Sequence, residues 1–189
     1  MKTVEGVAAI GRDPDALEAF YREHIEAVQR FVARRVESPE DAADLTAEVF
    51  LAAIRASRAY RGDATAPLAW LYGIARRVVA SHHRSTARAL QAIGRIDARE
   101  LLDEDAIDRV VVRIDSQRAA REVYRSLTAL PERQRAVVEL VAVDGLSLTE
   151  AAVALGISPG NARVLYHRAR RRLALALPQP LPDPIEVTS

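Results

Sequence analysis

Apolar side chains recur at helical spacing along nearly all of this chain, and that period excludes most folds before composition is considered. Leu17, Phe20, His24, Val28, Phe31 and Val36 trace one stripe behind Asp13-Pro14, where Pro suits the first turn of a helix. Ser38-Pro39 restarts the chain. Leu45, Val49, Ala52 and Ala56 follow on one side, with Phe50 and Ile54 widening the buried face. Arg61-Gly62-Asp63 and Pro67 mark a loop, after which a third helix turns Leu68, Leu71, Ile74, Ala75 and Val78 inward. From Ala87 to about Ser116 the pattern weakens, and Asp97, Glu100, Asp103, Glu104, Asp105 and Asp108 crowd together. Helical period resumes from Gln117 to Thr128. Pro131 opens another helix through Val141, which Asp144-Gly145 closes. No alternating strand pattern competes. The expected fold class is all-α: two small helical domains, 15–87 and 117–177, joined by an acidic linker over 88–116. Residues 1–14 are expected to be a disordered N-terminus and 178–189 a Pro-rich disordered tail.

Charge does not name a partner by its total. The 189 residues carry 27 basic and 26 acidic side chains, a formal net charge of +1, so any nucleic-acid signal lies in the distribution. Lys2 is the only lysine. Arg makes planar bidentate contacts to phosphate and guanine that Lys does not, although a GC-rich coding sequence produces the same bias. With no Cys, disulfides, zinc fingers and thiol catalysis are excluded. No apolar run would span a bilayer and the first residues lack a signal pattern, so a cytoplasmic protein without membrane insertion is expected. No nucleotide-binding Gly loop or catalytic constellation is present, so neither enzyme activity nor a cofactor is expected. His82 and His83 are adjacent and point apart on a helix, which argues against a metal.

"LSLTEAAVALGISPGNARVLYHRARRRL" changes character halfway. Leu148, Ala151, Ala152 and Leu155 line one face of a short helix, Gly156 suits a left-handed helix end, and Ser158-Pro159 opens a second helix. Ala162, Tyr166, Ala169 and Leu173 then face inward, while Arg163, Val164, His167, Arg168 and Arg171 face outward. This is the pattern of a helix-turn-helix whose second helix enters the major groove. An ordinary hairpin with a solvated basic face shares the outline. The turn Gly, the small inward residues and the absence of acids on the basic face together favour DNA.

"DAADLTAEVFLAAI" places Asp41, Asp44 and Glu48 within about 60° on a helix, beside the buried stripe. Three acids there suit a basic protein partner and repel DNA, although three acids alone fit a solvated acidic edge better. "YRGDATAPLAWLYGIARRVVASHHR" joins a polar loop to a helix bearing Trp70, Tyr72, Arg76, Arg77 and Arg84. Aromatic and basic groups beside a loop suit single-stranded DNA. Core packing is the commoner fate of such aromatics, and at least one of Trp70 and Tyr72 is expected to be core.

In that order, the two motifs resemble region two and region four of the extracytoplasmic-function sigma factors of bacterial RNA polymerase, in the sigma-70 family. The likeness covers roughly Leu17 to Leu173. It implies a sigma factor that directs core polymerase to promoters and helps open the −10 element. It further implies that Asp41, Asp44 and Glu48 meet the polymerase β′ clamp helices. Arg61, Gly62, Asp63, Trp70, Arg76, Arg77 and Arg84 would meet −10 DNA, and Arg163, Val164, His167, Arg168 and Arg171 the −35 element. The β flap and an anti-sigma factor are further implied partners. Ala47 stands where the family often has Gln, Ser81 where Asp is common, and Val164-Leu165 where a polar pair is frequent. Two other functions share parts of the pattern: an ordinary helix-turn-helix regulator, and a sigma-like protein that sequesters an anti-sigma factor.

Overall fold

A computed structural model describes residues 7–60, 67–92 and 126–174, and every regular element among them is helical. The chain divides into two compact units, Met1–Leu102 and Asp103–Ser189.

In the first unit, α1 (Pro14–Ala33) begins at Asp13, whose carboxylate accepts the Asp15 N–H at 3.0 Å. α2 (Pro39–Ala56) begins at Ser38, whose hydroxyl accepts the Asp41 N–H at 2.9 Å. Both side chains satisfy amides that a helix start leaves without a partner. α2 ends in a 3-10 turn, Ser57–Ala59, and α3 spans Pro67–Ala92. The three helices pack on one another around Val28, Phe31, Val32, Val49, Ala53, Leu71 and Ala75. Phe31 stacks on Tyr72 with centroids 4.7 Å apart, and the Arg35 guanidinium lies 3.6 Å from the same ring's centroid. His24 is buried edge-on against Phe20 at 4.5 Å. Burial lowers its pKa below the ordinary 6.5, against the opposing pull of Glu23.

Three sequence expectations need correction here. Residues 7–9 form a helical turn instead of a disordered start, because Val7 and Ile10 find places in the core. Gly11 makes that docking close: a Cβ there would lie 2.7 Å from Ser57 Oγ. On α2 the buried line passes through Ala53 and Ser57, with Ala52 and Ala56 only partly covered. The phase is set by Phe50, which meets Phe20 and Tyr21 of α1 at 6.4 and 4.7 Å. Finally, α3 continues past Ala87 to Ala92. The remaining linker, residues 93–116, and the tail, 178–189, lie outside the described residues.

In the second unit, α4 (Glu132–Val138) widens into a π turn over Glu139–Val143, where a helix through Val141 was expected. The Asp144 N–H reaches back to Glu139 at 3.0 Å and Leu146 to Leu140 at 2.9 Å, with Gly145 at φ 75° reversing the chain. This folds Leu140, Val141 and Leu146 into one core. Ser147 and Glu150 then cap α5 (Leu148–Leu155) reciprocally, at 3.2 and 2.8 Å. At its far end the Ile157 N–H donates to Ala152 and the Gly156 N–H to Val153, with Gly156 at φ 65°. That pair of bonds needs a left-handed residue, which Gly supplies without a Cβ clash. Ser158 caps α6 (Pro159–Ala174) through the Asn161 N–H at 3.2 Å. Ala151, Ala152, Ala162 and Ala169 are all buried, so small side chains meet where α5 and α6 pack.

Candidate functional site

The acidic edge of α2 divides in two. Asp44 and Glu48 are exposed and have no ion-pair or hydrogen-bond partner among the described residues. Asp41 is half-buried, with its Oδ2 3.9 Å from His82 Nε2 of α3. Asp41 is therefore partly engaged within the domain, while the other two carboxylates face outward. Leu51, one and two turns further along the same side, is 54% exposed. Its spacing of three from Glu48 and seven from Asp44 marks that face, a signal that the acidic residues alone do not carry.

On α3, the two aromatics separate. Tyr72 is core, whereas Trp70 is half-buried and sits edge-on to Tyr60 at 5.0 Å. The Tyr60 N–H donates to the Ser57 carbonyl at 3.0 Å, and in sequence Tyr60 and Trp70 stand before and after residues 61–66. Arg61, Gly62 and Asp63 lie outside the described residues. Tyr60 stands just before the loop signal at Arg61-Gly62-Asp63, and no spacing in the sequence pairs it with Trp70. Arg77, Arg84 and Arg88 stand on the same side of α3 as Trp70, about seven, fourteen and eighteen residues on. The stripe is about 27 Å long. All three are exposed, and Arg77 and Arg84 have no partner for their side chains among the described residues. Arg76 is different: it lies about 100° round the helix from Arg77, is half-buried, and already has an intramolecular partner. His82 and His83 have ring centroids 5.8 Å apart, and no group of three metal-ligating side chains occurs among the described residues.

The basic helix α6 shows two faces. Ala162, Tyr166, Ala169 and Leu173 are buried; Arg163, Val164, His167, Arg168 and Arg171 are exposed. Arg172 turns back to donate to the buried Gln134 Oε1 of α4 at 3.3 Å, and Arg170 is half-buried and partnered. Two arginines thus serve the domain, and the outward set has no partner among the described residues. Positive charge with no internal partner, on a helix narrow enough for the major groove, suits phosphate and base edges. Among the described residues, no helix is long and apolar enough to cross a membrane.

Comparison with known proteins finds the same two parts. A family described as "Sigma-70 region 2" matches residues 20–99, and one described as "Sigma-70, region 4" matches residues 120–173. The ECF RNA polymerase sigma factor SigF of Caulobacter vibrioides is 36% identical over 144 residues, 76% of this chain and 75% of that protein. SigD of Mycobacterium tuberculosis, likewise an ECF RNA polymerase sigma factor, is 36% identical over 174 residues, 87% of this chain and 78% of that protein. Among solved structures, the sigma factor RpoE of Bartonella quintana, in complex with the anti-sigma factor NepR, aligns with a TM-score of 0.58. Its identity is 20%, and the alignment covers 85% of this chain and 95% of that one, a likeness of fold.

Proposed function

The chain belongs to the extracytoplasmic-function sigma factors of RNA polymerase, and from that premise we propose how its two units divide the work. As a sigma factor it binds core polymerase and directs it to promoter DNA. Sigma factors are regulatory proteins, not enzymes, and nothing here asks for covalent chemistry. Asp44 and Glu48 dock on the basic clamp helices of polymerase, with Asp41 in a supporting place beside His82. The pair Tyr60–Trp70 and the line Arg77, Arg84 and Arg88 take the unpaired strand of the −10 element, by stacking and phosphate neutralisation. Residues 61–63 lie between those aromatics in sequence and complete the site for a flipped base. α6 takes duplex DNA at −35. The work is done in the cytoplasm, where polymerase and promoter are.

One observation carries this reading: α3 and α6 contain no acidic residue, whereas the outer side of α2 presents Asp44 and Glu48 without a partner among the described residues, with Arg55 in its last turn the one base of that helix. A single surface used for DNA would not keep two uncompensated carboxylates. An anti-sigma factor is the further partner, and it would act by covering these same faces.

Reversing both carboxylates, Asp44→Lys with Glu48→Lys, tests the docking edge. Neither side chain supports the fold, so helicity by circular dichroism should be unchanged while assembly with core polymerase is lost. Unaltered assembly would remove the assignment. Run-off transcription with the wild-type chain separates a sigma factor from an ordinary helix-turn-helix regulator, which does not replace sigma.

A further inference from the structure

Val164 is a valine in the middle of a basic face, and it is 47% exposed. It lies nine residues before the buried Leu173, about two and a half turns, so the two point to opposite sides of α6. Val164, and Arg171 two turns on, are thus the side chains aimed most directly away from the buried stripe of Ala162, Tyr166, Ala169 and Leu173. Asn161 and Arg168 flank it on one side and His167 on the other, each within about 60°, with Arg171 two turns beyond. Arg163 is about 100° away, at the shoulder of the helix. One turn before Val164 stands Gly160, and a Cβ built there would meet nothing within 4 Å. Helical side chains lean toward the N-terminus, so Val164 leans over that open space.

We propose that Val164 and Gly160 form an apolar notch that receives the C5-methyl group of a thymine in the major groove. The proposal rests on the reading of α6 as the helix that takes upstream duplex DNA. In that pose the outermost side chains face the groove floor, and the shoulders face the phosphates. The floor displays hydrogen-bonding groups on every base pair, and one apolar group, the thymine methyl. Valine has no donor or acceptor. Pressed against a purine edge or a cytosine amine, it would strip water from a polar group and return nothing. Against a methyl it buries apolar surface on both sides. Gly160 matters because any side chain there would occupy the place of the methyl. Val164 and Gly160 therefore set base preference at one position, while Arg163 at the shoulder supplies affinity through phosphate.

The test uses holoenzyme assembled from the full chain and core polymerase. Its probe is a promoter duplex whose upstream window the wild-type holoenzyme has selected from random sequence. Each thymine in that window is replaced in turn by deoxyuridine, which removes only the methyl. At one thymine, wild-type binding should weaken about fourfold, the worth of one buried methyl. Val164→Ala should lose most of that sensitivity. Gly160→Ala should lose it too, and the added carbon meets no atom of the protein, so the domain stays folded. If wild-type holoenzyme ignores uracil at every position, or Val164→Ala retains the full penalty, the notch is refuted. Arg168→Ala separates the two levels. Unchanged upstream binding in that variant removes the reading of α6 and the notch with it. Weakened binding together with indifference to uracil removes the notch alone.

Discussion

Changing Arg77 and Arg84 together to Ala should alter how promoter-strand binding responds to salt. Both side chains are exposed, stand on one line of α3 with Trp70, and have no partner among the described residues. Their removal should therefore leave the fold intact, since Ala is the better helix former. If each guanidinium neutralises one phosphate of a single strand, each contributes about 0.7 to the slope of log affinity against log salt. Two give about 1.4, so the advantage of wild type over the variant should shrink about sevenfold between roughly 50 and 200 mM salt. The assay is equilibrium binding of preassembled holoenzyme to a labelled non-template −10 oligonucleotide over a salt series, scored as the wild-type to variant ratio. Arg30→Ala on α1 is the control: Arg30 is exposed and its nearest carboxylate, on Glu26, is 3.9 Å away. It should leave the slope unchanged. A double variant with the wild-type slope would show that the stripe does not follow the strand, however much its affinity had changed for other reasons.

Gly156→Ala should destabilise the second unit by about 1–2 kcal/mol, the cost of a left-handed backbone for a residue with a Cβ. Urea unfolding should show it, and Gly156→Asn should recover part of the loss; equal midpoints for Ala and Gly would contradict the cap. His24 should make the first unit acid-sensitive. Because burial lowers its folded pKa below 6.5, the unfolded chain takes up the proton first, so this contribution is complete above that pH and lost as pH falls below it. His24→Leu should flatten the fall in thermal midpoint between about pH 7 and pH 5; an unchanged slope would place the sensitivity elsewhere.

Much of the site was legible because helix period fixes which way a side chain points. The inward and outward sets of α6 follow from spacing alone, as does the α1 stripe through Phe20, His24, Val28 and Phe31. Composition could not set the phase of α2, where Ala52, Ala53 and Ala56 weigh the same and a contact from α1 decides. Nor could it show the π turn, which depends on a bond from Asp144 to Glu139 and not on residue preference. Arg76 and Arg77 read as one basic pair in sequence, yet the rotation of about 100° between neighbours leaves the first half-buried and the second in solvent. Val7 and Ile10 were too few to signal a helix and are held by tertiary packing instead.

The two faces of α6 share no residue, and this bears on how such a protein can change over generations. Surface substitutions away from caps and buried networks usually shift stability by no more than about 0.5 kcal/mol. Positions 161, 163, 164, 167, 168 and 171 can therefore drift through many combinations while Ala162, Tyr166, Ala169 and Leu173 keep the helix in place. A duplicated gene could acquire a new set of promoters one substitution at a time, with every intermediate still folded. Arg172 marks the boundary of that freedom: it is exposed like its neighbours, but its bond to Gln134 ties it to the side that must not change.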